Sequence, residues 1–460
     1  MKKIFTIVAG SCLMAACTPS AKVSVLPTAG ITDFNNYLAV GSSYTAGFAD
    51  NSLYVTAQTY SFPALLNTQF QLVQNNGSRG YFIQPLTTGN DGYPASKYVL
   101  AMTYPVCDSA DSTLGPVTVT NYVVNPADVT YTATTNNGQI NNIGVPGIRV
   151  VDYPVQGYGT QAVNPYAYRF YHNTAGTPFD ELLYRVNIQH PNFFTLWMGM
   201  DDVLGYALNG GQGNGNGSAI PLIGNFYNTI DISPIAVFEK NYDSIVNACI
   251  STGAQGALIS IPDVDSLPFF TTIPANGLIL PRQTLVDSMN KLIWASANFN
   301  KAFTLGANYF VIQDHNGNVR QAVPGERILL SATQQNIICN GWGSVTPIPA
   351  KYVLTTDELQ YIRTATQTFN AYIQLEANNH NLAFVDMNSF LAQLYGGYTY
   401  NGIQYSMQYI TGEAFSLDGI NLTPRGNALA TNQVVQAINA KYHSTLPMMD
   451  VNSYLGISFP

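Results

Sequence analysis

The chain has 460 residues, 10% of them charged and 12% aromatic, and a formal net charge of -8. That balance excludes a disordered chain and argues against a polyanionic partner such as nucleic acid, while abundant Asn, Thr, Gly and Tyr give a neutral, hydrogen-bonding surface. No charged or Pro/Ser-rich linker divides the sequence, so it reads as one α/β core with decorations.

Residues 1–17 carry Lys2 and Lys3, an apolar run from Ile4 and small residues before Cys17. This is the pattern of an export signal too short to span a bilayer. Leu13-Met14-Ala15-Ala16-Cys17 resembles a bacterial lipoprotein signal, which implies a lipid on Cys17 and an anchor in the cell envelope, at the outer membrane. A plain secretory signal cut near Ala16 is the other reading. Residues 18–34 read as a polar tether, 35–445 as the folded body and 446–460 as a C-terminal tail.

The body opens on Tyr37-Leu38-Ala39-Val40-Gly41-Ser42-Ser43-Tyr44-Thr45-Ala46-Gly47, an apolar run that stops at glycine and two serines. Leu38 to Val40 predicts a short buried strand, and Gly41 a tight turn that holds Ser43 above the carboxyl end of a sheet. Ser43 is thus a candidate nucleophile, or a helix cap. Phe62 to about Leu72 predicts a helix with Pro63 in its first turn. Residues 76–140 read as an insertion with β-alternating pieces such as Val117 to Val124. Asn142-Ile143-Gly144-Val145-Pro146-Gly147 closes a strand on a Gly-Pro turn.

Thr177-Pro178 starts a helix, and Phe193 to Gly199 is a continuous apolar run suited to a parallel strand buried on both faces. It leads into Met200-Asp201-Asp202. Asn209 to Gly217 reads as a flexible Gly/Asn loop near a cleft mouth. Further on, a helix over Pro234 to Ser251, a strand over Ala257 to Ile261, a helix over Lys291 to Phe299 and a strand over Tyr309 to Gln313 continue the alternation. A capping box at Thr355 and Glu358 opens a helix to Ala377, followed by a strand at Leu382 to Asp386. Helices between near-continuous apolar strands imply a parallel sheet covered on both faces. The last helix, to about Tyr442, follows Phe415-Ser416-Leu417-Asp418-Gly419-Ile420-Asn421-Leu422-Thr423-Pro424-Arg425-Gly426-Asn427.

Outside the leader, Cys107, Cys249 and Cys339 are scattered without Cys-x-x-Cys spacing, so at most one disulfide and no zinc site follow. Nothing calls for a metal or organic cofactor. His190 and His380 precede strands and belong at their amino ends; His172, His315 and His443 read as exposed side chains in polar settings. Asp202 reads as a capping or packing carboxylate.

Four of these stretches resemble, in order, the blocks of the SGNH hydrolases (GDSL lipases and acylhydrolases). Gly41-Ser42-Ser43 to Gly47 resembles Gly-Asp-Ser-x-x-x-Gly, with Ser42 at the aspartate. Asn142 to Gly147 resembles the second block, Gly199 to Asp202 the third (Gly-x-Asn-Asp, with Asp201 at the asparagine), and Asp418 to Asn421 the fourth, with Asn421 at the histidine. Leu196-Trp197-Met198-Gly199 and Gly419 to Gly426 resemble exported members of the Bacteroidetes type.

The resemblance implies a three-layer α/β sandwich of SGNH/flavodoxin-like kind and a serine ester hydrolase. Ser43 is then the nucleophile and Asp418 the triad acid. Ser43, Gly147 and the residue at Asp201 supply the oxyanion donors, and a small-molecule, lipid or glycan ester is the substrate. The substitutions cut against turnover. An Asn side chain has no usable basicity, and an ionised Asp201 repels an oxyanion; burial beside Asp202 and Asp418 is what would keep it protonated. Three functions remain: an ester hydrolase, weak or inactive, with Asp201 or Asp418 as an unorthodox base; a surface lipoprotein binding a glycan or lipid in the former cleft without catalysis; and a purely structural surface lipoprotein.

Overall fold

Four short strands form a parallel sheet: β1 (Tyr37–Gly41), β2 (Phe193–Trp197), β3 (Gln255–Ile259) and β4 (Ala383–Val385), in the order β1-β2-β3-β4. Tyr37 pairs with Phe193, Thr195 with Ala257 and Ala383 with Ala257, so all four carboxyl ends share one edge. β1 and β2 are buried along their whole length, as strands covered on both faces must be. A fifth, irregular segment runs parallel to β1 on its free side: Ala39 N–H donates to the Asn141 carbonyl, and Ile143 and Val145 N–H donate back to Ala39 and Gly41.

These features belong to a computed structural model that describes residues 26–74, 82–104, 107, 112–131, 138–218, 227–292 and 303–460. The leader, Cys17 and the first part of the tether lie outside the described residues, as does most of the helix expected over Lys291 to Phe299. The helix found there is Gln283–Lys291.

Seven helices position the site and the sheet: α1 (Ser43–Ala46), α2 (Phe62–Phe70), α3 (Pro178–Gln189), α4 (Asp201–Leu208), α5 (Ile235–Ile250), α6 (Thr356–Asn379) and α7 (Pro424–Tyr442). α2 packs on α7, while α3, α5, α6 and α4 pack in succession, giving a helical layer on each face of the sheet. Local chemistry starts three of them. Thr177 and Asp180 form a capping box with Pro178 in the first turn, Thr355 and Glu358 form another, and the Thr423 hydroxyl accepts from Gly426 N–H. α7 runs from the carboxyl edge to the amino edge, where the Tyr442 hydroxyl donates to the Gly256 carbonyl at 2.7 Å. The C-terminal tail returns along it, held by Asn432 to Met449 and by Arg425 to Tyr454.

The parallel alternation stops between β3 and α6, which corrects one expectation. Val311–Gln313 is a strand, but it pairs antiparallel with Val319–Gln321, outside the main sheet. Two further antiparallel pairs, Leu278–Leu280 with Gly306–Asn308 and Arg327–Ile328 with Val353–Leu354, make this region a β-rich insert with small cores around Phe310 and Val311. Within the earlier insertion, Tyr98–Thr103 and Thr113–Thr118 form a hairpin. Cys107, beyond its first strand, is disulfide-bonded to Cys339 of the later insert, and Cys249 is free and buried. Among the described residues no helix is long and apolar enough to cross a membrane.

Candidate active site

The turn after β1 is shaped by what surrounds Gly41. A Cβ there would sit 2.0 Å from the Thr45 hydroxyl and 2.7 Å from the Trp197 carbonyl, so only glycine lets the chain fold back into α1. Ser43 is the first residue of α1 and is buried, and among the described residues its N–H donates to no protein acceptor, as expected of a first-turn amide. Gly147 follows the segment beside β1, at φ +77°. An added Cβ there would meet nothing within 4 Å, the residue is exposed, and its N–H also lacks a protein acceptor among the described residues.

Asp418 and Asn421 stand on the turn before α7, and this turn is laced to the β1 loop. Asp418 Oδ1 accepts from the N–H groups of Ile420 (2.8 Å) and Asn421 (2.7 Å). Its Oδ2 accepts from Asn421 Nδ2 (3.0 Å) and from Asn51 N–H (3.1 Å). Asp50 accepts from Leu417 N–H at 2.8 Å. Tyr44, next to Ser43, donates its hydroxyl to the carbonyl of Ile420, next to Asn421, at 2.9 Å. Burial, then the charges of Asp418 and Asp201, hold the Tyr44 phenol well above its ordinary range, so this ring lies in the field of both carboxylates.

Asp201 begins α4, just beyond the carboxyl end of β2. Burial pushes its carboxyl up to about 6, opposed by a hydrogen bond with the Ser42 side chain and raised further by Asp152. The charged neighbours are therefore Asp152 and, acting in the opposite sense, Arg149, not Asp418 or Asp202 as the sequence suggested. Asp201 Oδ2 is buried and without a hydrogen-bond partner among the described residues. Asp202 accepts Val150 N–H at 2.8 Å, which ties α4 to the segment after Gly147, and burial raises its carboxyl to about 7. It is a packing carboxylate.

The expected residues thus come to one edge from four loops. Asn421 occupies the fourth-block position with its amide donating to Asp418, as an imidazole N–H would, while its Oδ1 is buried without a partner. Thr45 Oγ1 and Trp197 Nε1, at the same edge, are also buried and unpaired. Orphaned buried polar atoms are costly, and these four, on α1, β2, α4 and the turn before α7, offer bonding positions to water or a ligand at this edge.

None of the five histidines hydrogen-bonds Ser43 or Asp418. His190 and His380 precede β2 and β4, and His443 caps the far end of α7. His172 and His315 are exposed but engaged: His172 with Glu181 and the ring of Tyr184, His315 with the Gly210 carbonyl at 2.5 Å and Glu358 at 3.2 Å. The Gly/Asn loop after α4 is fixed as well, through Asn214 N–H to Asp231 at 2.6 Å. Sequence reasoning missed the Ser42–Asp201 contact. The signal for it was present, since the acid that the first block places at 42 is absent there and one appears at 201.

No family model matches the chain, and no curated protein matches it. Among solved structures it aligns with an extracellular lipase from Streptomyces rimosus, 13% identical over 88% of this chain and 99% of that one, with a TM-score of 0.32. The fold assignment rests on the sheet and helices described above.

Proposed function

We propose that this chain is an exported, lipid-anchored protein of the SGNH hydrolase lineage whose cleft binds an acyl or acetyl ester, carried on a glycan or lipid, with ester hydrolysis weak or lost. The observation that carries this reading is the Asn421 amide bonded to Asp418, with no imidazole bonded to either Asp418 or Ser43. A carboxamide cannot take the Ser43 proton at neutral pH, and loss of a triad base costs on the order of a millionfold in turnover in the subtilisin case. Ser43 N–H and Gly147 N–H remain as donors for a carbonyl or phosphoryl oxygen, and the unpaired Oδ1 of Asn421 and Oδ2 of Asp201 suit hydroxyl-bearing ligands. The Cys107–Cys339 disulfide supports an oxidising, extracytoplasmic location.

One observation favours a second reading, slow hydrolysis. Asp201 holds its proton to about pH 6 and hydrogen-bonds the Ser42 side chain. Above that pH it is a carboxylate base bonded to Ser42, the residue before the nucleophile. The test is labelling by a fluorophosphonate ester probe with Ser43→Ala as control, alongside binding to acetylated glycans and lipid vesicles. Ser43-dependent labelling that rises through pH 6 supports the second reading, and saturable binding without labelling supports the first. Neither binding nor labelling would leave a structural surface protein. For the anchor, Cys17→Ser should lower the mature mass by a lipid and release the protein from membranes.

A further inference from the structure

At the opposite edge of the sheet, α5 and α6 bring three metal-ligating side chains together. Glu376 and His380 lie one turn apart on the last turn of α6 and just past it, and Asp243 faces them from α5; one ligand atom from each lies within 4.8 Å of the others. Glu376 is 3% exposed, yet its Oε2 has no hydrogen bond; His380 Nε2 stands 3.4 Å from it. Neither carboxylate is ion-paired to lysine or arginine among the described residues. Tyr242, on α5 beside Asp243, has a buried, unpaired hydroxyl as well.

A simple Glu–His surface pair leaves this arrangement unexplained. It would not need a second carboxylate drawn in from the neighbouring helix, and it leaves a buried carboxylate oxygen with only a 3.4 Å contact to His380 and no hydrogen bond, which is expensive. We propose that Asp243, Glu376 and His380 bind one Zn²⁺ ion, which fastens α5 to α6. The donor set fits: zinc takes imidazole nitrogen and carboxylate oxygen in a four-coordinate shell, and the half-buried Asp243 and His380 leave a solvent-facing position for water.

The surroundings orient the ligands as metal sites require. Asn247 Nδ2 donates to Asp243 Oδ1 at 3.0 Å and Asn379 Nδ2 to Glu376 Oε1 at 3.2 Å, so each carboxylate keeps one oxygen for the ion. The carboxyl end of α6, with its negative dipole, adds to the attraction for a cation. Three ligands on two helices, far apart in sequence, form no spacing motif, and for that reason the sequence reading of no zinc site did not reach them.

The experiment uses untagged, chelator-treated protein and ZnCl₂ alone, followed by isothermal titration calorimetry, thermal unfolding and Co²⁺ absorption. One equivalent should bind, raise the melting temperature and give the intense visible bands of tetrahedral cobalt. His380→Ala should weaken zinc binding by about a hundredfold or more, since even supporting partners of metal ligands are worth about 10–100-fold, and Asp243→Asn and Glu376→Gln should weaken it too. His380→Ala and Asp243→Asn change half-buried side chains, so they keep the test open if Glu376→Gln fails to fold. Absence of saturable binding overturns the proposal. So do unchanged affinity in His380→Ala, loss of binding on His172→Ala or His315→Ala instead, and preference for Ca²⁺ or Mg²⁺.

Discussion

On the proposed function, replacing Asn421 by His and Asp201 by Asn should give the chain esterase activity, and the geometry says why both changes are needed. Asn421 Nδ2 already donates to Asp418 Oδ2 at 3.0 Å, so an imidazole there has an N–H partner waiting and its second nitrogen projects past the carboxamide. Asp418, saturated by backbone donors, orients that ring and stabilises its charged form. At 201 the unpaired Oδ2 becomes an amide NH₂, while the other oxygen remains for Ser42. A positioned base contributes about 10²–10⁴-fold and one oxyanion donor about 10²–10³-fold. The double variant should therefore exceed wild type by at least about 10³-fold in kcat/KM, and each single by less, because the two groups act on one transition state. The assay is p-nitrophenyl acetate and butyrate turnover with Ser43→Ala in every background. Ordinary esterase rates from wild type would refute the disabling role of position 421. A folded but inactive double variant would refute the claim that only a base and a donor are missing.

The Asp201 carboxyl also sets a pH dependence. Its folded pKa, about 6, exceeds the ordinary 3.8, so the stability it contributes is full below about pH 4 and is lost as pH rises through 6. Asp201→Asn should match wild type in urea unfolding near pH 4 and exceed it by up to about 3 kcal/mol at pH 7.5; equal stability at both would refute the burial argument. Tyr44→Phe should cost about 1–3 kcal/mol in urea unfolding, because the Ile420 carbonyl loses its buried donor. Gly147→Ala, at positive φ with open space around it, should cost only backbone strain, about 1 kcal/mol; a loss of several would place a neighbour within reach.

The parallel core was legible because its signals are local. The apolar runs at Leu38 to Val40 and Phe193 to Trp197, the Thr177-Pro178 start and the Thr355/Glu358 box each depend on a few adjacent residues. The β-rich insert before α6 was not legible: its three antiparallel pairs are strands of two or three residues, too short to show a period of two, and long-range pairing decides them. The same limit applies within the site. That Ser43, Gly147, Asp201, Asp418 and Asn421 belong to one edge was expected from the order of the four stretches that resemble the SGNH blocks. The bond between Ser42 and Asp201 depends on how β1 and β2 lie side by side, while the Tyr44 link to Ile420 and the charge of Asp152 acting on Asp201 depend on loops far apart in sequence meeting at that edge.

The Cys107–Cys339 bridge closes a loop of 232 residues that contains β2, β3 and most of both decorations. Synthesis runs from the amino end, so Cys107 waits as a thiol until the chain through Cys339 has been made. A fragment ending before Cys339 would therefore lack both β4 and the second cysteine of the bridge. Once the bridge has formed, a single proteolytic cut anywhere between its ends leaves two polypeptides that still migrate as one on a non-reducing gel.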